Sequence, residues 1–166
     1  MIKIAFTGPE SSGKTTLCKA LADELKCLWI SEYAREYLEN KNNYEMSDLD
    51  VMALEQVLKW DAIKNQPLIL CDTEMLVYKI WSEVKFGKLS ETIKQLYEAQ
   101  YFDFYFLCKP DIPWQPDPMR ENENNRDELF ELYSAELIAT HRPYKILTGS
   151  LENRIGQVKK TIAELL

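Results

Sequence analysis

Gly8-Pro9-Glu10-Ser11-Ser12-Gly13-Lys14-Thr15 sets two glycines five residues apart and ends on a lysine and a threonine. That spacing suits an anion. Glycines let the backbone turn sharply, so that successive N–H groups point inward. A helix starting at Lys14 adds the positive end of its dipole. Lys14 brings a point charge to the outer phosphates of a nucleoside triphosphate, and the Thr15 hydroxyl can ligate Mg²⁺. Gly8, Glu10, Ser11, Ser12, Gly13, Lys14, Thr15 and Thr16 are therefore the expected triphosphate contacts. No Asn-Lys-x-Asp segment that would read guanine is present, which favours ATP over GTP.

Acidic residues follow two other apolar runs. Leu68-Ile69-Leu70-Cys71 ends in Asp72, and an acid at such a strand end holds Mg²⁺ through its water shell. Asp72 also suits the cap of a following helix, and Thr73 and Glu74 stand beside it. Ser31-Glu32-Tyr33 closes a second run. In phosphoryl transfer to a hydroxyl, a carboxylate near the acceptor takes its proton. Glu32 and Asp72 both qualify, and the residues do not choose between them.

A third segment runs from Lys109 to Arg126. Pro110, Pro113, Pro116 and Pro118 exclude a regular element and stiffen a loop. Trp114 in such a loop is either a ligand-stacking ring or a hydrophobe anchoring the loop. Arg120 and Arg126 flank the acidic, Asn-rich stretch from Glu121 to Asn125. Arginines on a closing lid neutralise charge on transferring phosphates; the bland alternative pairs them with nearby surface acids.

These residues need elements to position them. Short apolar runs at Ile2–Thr7, Cys27–Ser31, Leu68–Cys71, Phe102–Cys108 and Tyr144–Thr148 predict strands. Amphipathic stretches predict helices over Lys14–Leu25, Asp48–Lys64 with Ser47 as cap, Glu91–Ala99, Asp127–Thr140 and Leu151–Leu166. Strands alternating with helices imply parallel pairing by right-handed crossovers, hence a three-layer α/β sheet. Ligands bind outside the carboxyl ends of such strands, where the candidates above fall.

Composition narrows the classes. The chain has 166 residues, enough for one core, and its net charge of −7 lacks the basic footprint of a nucleic-acid binder. His141 is its only histidine, which excludes a His-based metal cluster and a Ser-His-Asp hydrolase. Cys18, Cys27, Cys71 and Cys108 are widely spaced and read as reduced cysteines. No apolar run is long enough to span a bilayer and no signal peptide opens the chain, so a cytoplasmic location is expected.

Gly8 to Thr16, Glu32-Tyr33-Ala34-Arg35-Glu36-Tyr37, Met52-Ala53-Leu54, Cys71-Asp72-Thr73-Glu74 and Trp114 to Arg120 together resemble the ribosylnicotinamide kinase domain of NadR-type proteins, an AAA-type ATP-binding family. The resemblance implies a P-loop kinase fold over residues 1–166: a five-stranded parallel sheet flanked by helices, with a lid over about 110–126 after the fourth strand. It implies phosphorylation of the ribose 5′-hydroxyl of nicotinamide riboside with ATP and Mg²⁺. By the same resemblance Trp114 stacks on the cationic pyridinium ring, with Tyr33 as a further aromatic wall. Asp117 binds ribose hydroxyls, Glu32 and Arg35 serve the acceptor, and Arg120 is the lid arginine. The catalytic set expected is Lys14, Glu32, Asp72, Arg120 and Arg126, with Thr15 and Asp72 at the metal. Partners are expected to be small molecules rather than nucleic acid or membrane. Two alternatives stay open: a nucleoside or nucleotide kinase with another acceptor, and an ATP-binding regulatory module that transfers phosphate to nothing.

Overall fold

Alternate residues of each strand face opposite layers, and the sequence is apolar on both faces, so the sheet must be covered twice. The computed structural model describes residues 1–41 and 43–165. Its strands are β1 (Ile2–Thr7), β2 (Leu28–Ile30), β3 (Leu68–Asp72), β4 (Phe104–Cys108) and β5 (Tyr144–Leu147). They pair in parallel in the order β2-β3-β1-β4-β5. Ile4, Phe6, Leu70, Phe106 and Cys108 face one layer, formed by α1 (Lys14–Leu25) and α7 (Leu151–Leu165). Ala5, Ile69, Cys71, Tyr105 and Leu107 face the other, formed by α2 (Tyr33–Leu38), α3 (Met46–Asp61), α4 (Met75–Phe86), α5 (Glu91–Ala99) and α6 (Arg126–Ala139). The three-layer P-loop kinase fold is the observed one. Leu166, where the last helix was expected to end, lies outside the described residues.

Two helices went unread in the sequence. α4 buries Met75, Leu76, Val77, Tyr78, Ile80 and Ser82, so its apolar residues wrap most of its circumference and leave no single stripe. α2 has six residues, too short to show a period. The cap of α3 also differs. Ser47 lies inside the helix, while the Glu45 side chain and the Asp48 carboxylate form a reciprocal capping box. Tyr37 and Lys41 also donate to Asp48, at 2.6 and 2.8 Å, and together these donors hold its carboxyl below the usual carboxylate range. Among the described residues no helix is long and apolar enough to cross a membrane.

Candidate active site

The segment between β1 and α1 turns through left-handed conformations at Gly8 (φ 128°), Ser11 (φ 51°) and Gly13 (φ 85°). Gly8 is obligatory twice over: its φ suits glycine, and a Cβ there would stand 2.7 Å from the carbonyl oxygen of Cys108. The loop is thereby pressed against the end of β4. Lys14 folds back over it, its Nζ donating to the carbonyls of Gly8 and Pro9, both at 2.8 Å. Thr15 and Thr16 start α1 with no side-chain cap at Gly13, so the helix N-terminus is open to an anion.

The β3 strand end brings the acids. Asp72 is 1% exposed and, among the described residues, neither of its carboxylate oxygens has a hydrogen-bond partner. Burial pushes its carboxyl up. The Thr15 hydroxyl, Lys14 and Arg35 favour the charged form, although the hydroxyl does not meet hydrogen-bond geometry. Glu32, at the cap of α2, opens onto the cleft and pairs with Arg35 Nε at 3.6 Å. Burial and then the Asp72 charge raise its carboxyl, against the pull of Lys14 and Arg35. Lys14, Glu32, Asp72 and Thr15 thus meet at one end of the phosphate loop.

Thr73 carries the turn out of β3. Its φ of 82° is strained for a β-branched residue, and its N–H donates to the Phe6 carbonyl at 3.1 Å. The turn sends Glu74 into the core rather than the cleft. One oxygen of Glu74 accepts from the Leu76 N–H and from Gln100 Nε2, both at 2.7 Å, capping α4. Its other oxygen and the Thr7 hydroxyl have no hydrogen-bond partner among the described residues, and burial raises the carboxyl. A carboxyl whose pKa is raised on folding stabilises below its unfolded pKa, and that contribution is lost as pH rises through the folded value. Glu74→Gln keeps the accepting oxygen and offers an amide N–H to Thr7. It is expected to raise Tm by ~3 °C, about 1 kcal/mol, near pH 8. Melting curves should converge toward pH 4; a variant less stable at pH 8 contradicts the assignment.

The loop after β4 closes over the phosphate loop. Gln115 N–H donates to Ser11 Oγ at 3.0 Å, and Arg126 Nη1 to the carbonyls of Ser11 and Ile112 at 3.0 and 3.2 Å. Glu10 is spent on the lid: its carboxylate accepts the N–H groups of Glu121 and Asn122 at 2.9 and 3.1 Å. Arg120 donates to the Gln115 carbonyl and lines the cleft.

Three expected acceptor residues lie elsewhere. Trp114 is not among the residues lining the cleft; the guanidinium groups of Arg120 and Arg126 sit over its ring at 6.0 and 5.5 Å. Asp117 accepts from Arg35 Nη1 at 3.1 Å and from the Met119 N–H at 2.9 Å, and lines a neighbouring pocket rather than the cleft itself. Tyr33 packs on the core with Lys59 over its ring at 4.7 Å. Arg35, by contrast, lines the cleft and ties Glu32 to Asp117.

The cleft encloses about 510 Å³ between the phosphate loop, α4, α6 and the lid. Among the cleft residues that no local motif marks are Trp81 and Arg154. Trp81 stands on α4 with Val77, Ile80 and Val84, a spacing of three and four that marks one helical face. Arg154 is 2% exposed on α7, where it shares the buried face with Val158 and Ile162. It donates to the carbonyls of Ser12 at 2.6 Å, Gly149 at 3.0 Å and Lys109 at 2.8 Å, and pairs with Asp111. One charged residue on an apolar helical face was the signal that could have found it.

A family model of the AAA domain matches residues 3–154. The chain is 27% identical over 143 residues to the trifunctional NAD biosynthesis/regulator protein NadR of Salmonella typhimurium (strain LT2), covering 81% of this chain and 35% of that protein. The protein of the same name in Escherichia coli (strain K12) is 27% identical over 124 residues, 70% of this chain and 30% of that protein. The chain therefore spans about a third of the length of these curated relatives. In fold it is similar to NadR protein in complex with NR, with a TM-score of 0.73 and 22% identity over 90% of this chain and 44% of that chain. It is likewise similar to deoxyadenosine kinase from M. mycoides, with a TM-score of 0.72 and 14% identity over 98% and 100% of the two chains. Those two likenesses fix the fold, and the family model covers most of the chain: the chain belongs to the AAA domain family.

Proposed function

We propose that this chain is an ATP-dependent kinase that phosphorylates the ribose 5′-hydroxyl of nicotinamide riboside to give nicotinamide mononucleotide. One observation carries the reading: two carboxylates of different access feel the charge of Lys14 at the end of the phosphate loop, Glu32 lining the cleft and Asp72 buried. A carboxylate facing a cleft with room for an acceptor suits transfer to a hydroxyl. The division also suggests the roles. Glu32 takes the hydroxyl proton, and Asp72 serves the metal.

The residues fit Mg²⁺. An orphaned buried carboxylate beside a threonine hydroxyl is an oxygen donor set of the kind that holds a largely hydrated ion. Thr15 and Asp72 would hold it, and when bound it neutralises charge on the β- and γ-phosphate oxygens. In the transfer, the 5′-oxygen bonds to the γ-phosphorus, the bond to the bridging oxygen of ADP breaks, and the hydroxyl proton passes to Glu32. Lys14, with Arg120 from the lid, counters the phosphate charge.

The charges around the acceptor side support an acceptor without phosphate. Arg35 is engaged by Glu32 and Asp117, and Lys85 by Glu121 at 2.6 Å. Nicotinamide riboside is favoured among ribosides because the NadR relatives are NAD biosynthesis proteins and one NadR structure is a complex with NR. The test is product analysis: the protein with ATP, Mg²⁺ and a panel of ribosides should yield phosphorylated nicotinamide riboside, and chelation by EDTA should abolish it. ADP formed at one rate with and without every riboside would sink the reading. Glu32→Gln should lower kcat by about 10²–10⁴-fold with the ATP KM little changed. A kcat within twofold of wild type would remove Glu32 as the base.

A further inference from the structure

The half of the cleft away from the phosphate loop is built for a ring. Its α4 wall presents Val77, Ile80, Trp81 and Val84, faced by Tyr133 from α6 and Met119 from the lid. Val77 and Ile80 are 9% and 4% exposed, whereas Trp81 is only partly covered and keeps surface in the cleft. Val84 at the end of the wall is also open, at 43% exposed, but the indole is its one aromatic surface and the one able to stack on a planar ligand.

The indole is also held in place. Its Nε1–H donates to the Tyr44 hydroxyl at 2.8 Å. Tyr44 meets it edge-on at 5.5 Å and 81°, and Tyr78 lies nearly parallel to it at 6.1 Å and 21°. These contacts satisfy its one polar group and fix its plane, so a ligand meets a preorganised ring. The lid completes the enclosure through one residue. The Glu121 N–H is held by Glu10 of the phosphate loop, and its carboxylate by Lys85 of α4.

Resting on the kinase reading above, we propose that Trp81 is the platform on which the acceptor's base stacks, with Tyr44 bracing it. The ligand class is a planar aromatic base carrying an unphosphorylated ribose, and a cationic ring gains most because indole is the strongest cation–π partner. Trp114, outside the cleft and covered by two guanidinium groups, does not fill this role. Glu32 and Arg35 line the same cleft as Trp81 and the phosphate loop. A riboside seated with its base on Trp81 therefore has its sugar directed toward the carboxylate that takes the proton.

The experiment compares Trp81→Ala and Trp81→Phe with wild type, using nicotinamide riboside and uridine as acceptors. Rates are read as KM and kcat, and binding is read by quenching of tryptophan fluorescence. Trp81→Ala should raise the riboside KM roughly tenfold to hundredfold, as loss of base–aromatic stacking does elsewhere, with the ATP KM within about twofold. Trp81→Phe should recover most of the loss and keeps the test decisive where the alanine variant folds poorly. Nicotinamide riboside should quench wild type more strongly than Trp81→Phe. If wild type phosphorylates a riboside and neither variant moves its KM, or only Trp114→Ala does, the platform falls and the kinase reading stands. If no riboside is phosphorylated yet quenching depends on Trp81, the transfer reading falls and the platform stands. No phosphorylation and no Trp81-dependent quenching overturns both.

Discussion

Lys14→Ala is expected to lower kcat/KM for ATP by about 10²–10³-fold while leaving Tm within ~2 °C of wild type. The asymmetry follows from what the side chain touches. Among the described residues its ammonium hydrogen-bonds only to carbonyls of its own loop, those of Gly8 and Pro9, and it lies in a partly exposed position. Water replaces those hydrogen bonds when the side chain is removed, so folding loses little. Nothing replaces a fixed cation aimed at the outer phosphates, so turnover loses much. The measurement pairs a melting curve with steady-state kinetics in ATP. Unchanged kcat/KM would detach Lys14 from the triphosphate, and a collapse of Tm would show that the loop depends on it structurally.

Arg154→Met should have the reverse signature, with stability falling first. The guanidinium joins three loops at the carboxyl ends of the strands: Ser12 of the phosphate loop, Lys109 and Asp111 after β4, and Gly149 after β5. Asp111 also accepts the Gly149 N–H at 2.8 Å, so the junction is one connected network. Removing the arginine strands three carbonyls and leaves the Asp111 carboxylate without its cation. Asp111 keeps access to water, so the cost lies below that of a fully buried pair, about 2–3 kcal/mol, or roughly 6–10 °C in Tm for a chain of this size. The ATP KM should rise as well, because the Ser12 carbonyl is part of the cradle. Arg154→Lys should restore only part of the loss, since a compact ammonium cannot reach three loops at once. A Tm for Arg154→Met within about 2 °C of wild type would show that the network contributes little.

The contrast between these two residues explains what the sequence disclosed. Lys14 belongs to a local motif whose spacing carries its own geometry, and β1, the loop and α1 fall where that motif and simple periodicity put them. Asp72 was legible for the same reason, as the acid closing an apolar strand that is buried on both faces. Arg154 acts across the fold, between segments 142 residues apart, and no local pattern encodes that. Trp81 was hidden with its helix, because α4 is buried on so many sides that its apolar residues lose a readable period. The lid shows the opposite difficulty. Its prolines announced a loop, but whether Trp114 turned into the cleft or onto arginines depended on where Arg120 and Arg126 settled.

On the proposed function, a riboside hydroxyl is delivered to Glu32 in line with a phosphate held by Lys14. A crystal structure with a non-hydrolysable ATP analogue, Mg²⁺ and nicotinamide riboside tests it most directly. The 5′-oxygen is expected within about 3 Å of a Glu32 carboxylate oxygen and facing the γ-phosphorus, with Thr15 and Asp72 on the metal's side. A riboside bound with its 5′-hydroxyl turned away from both Glu32 and the γ-phosphate would contradict it.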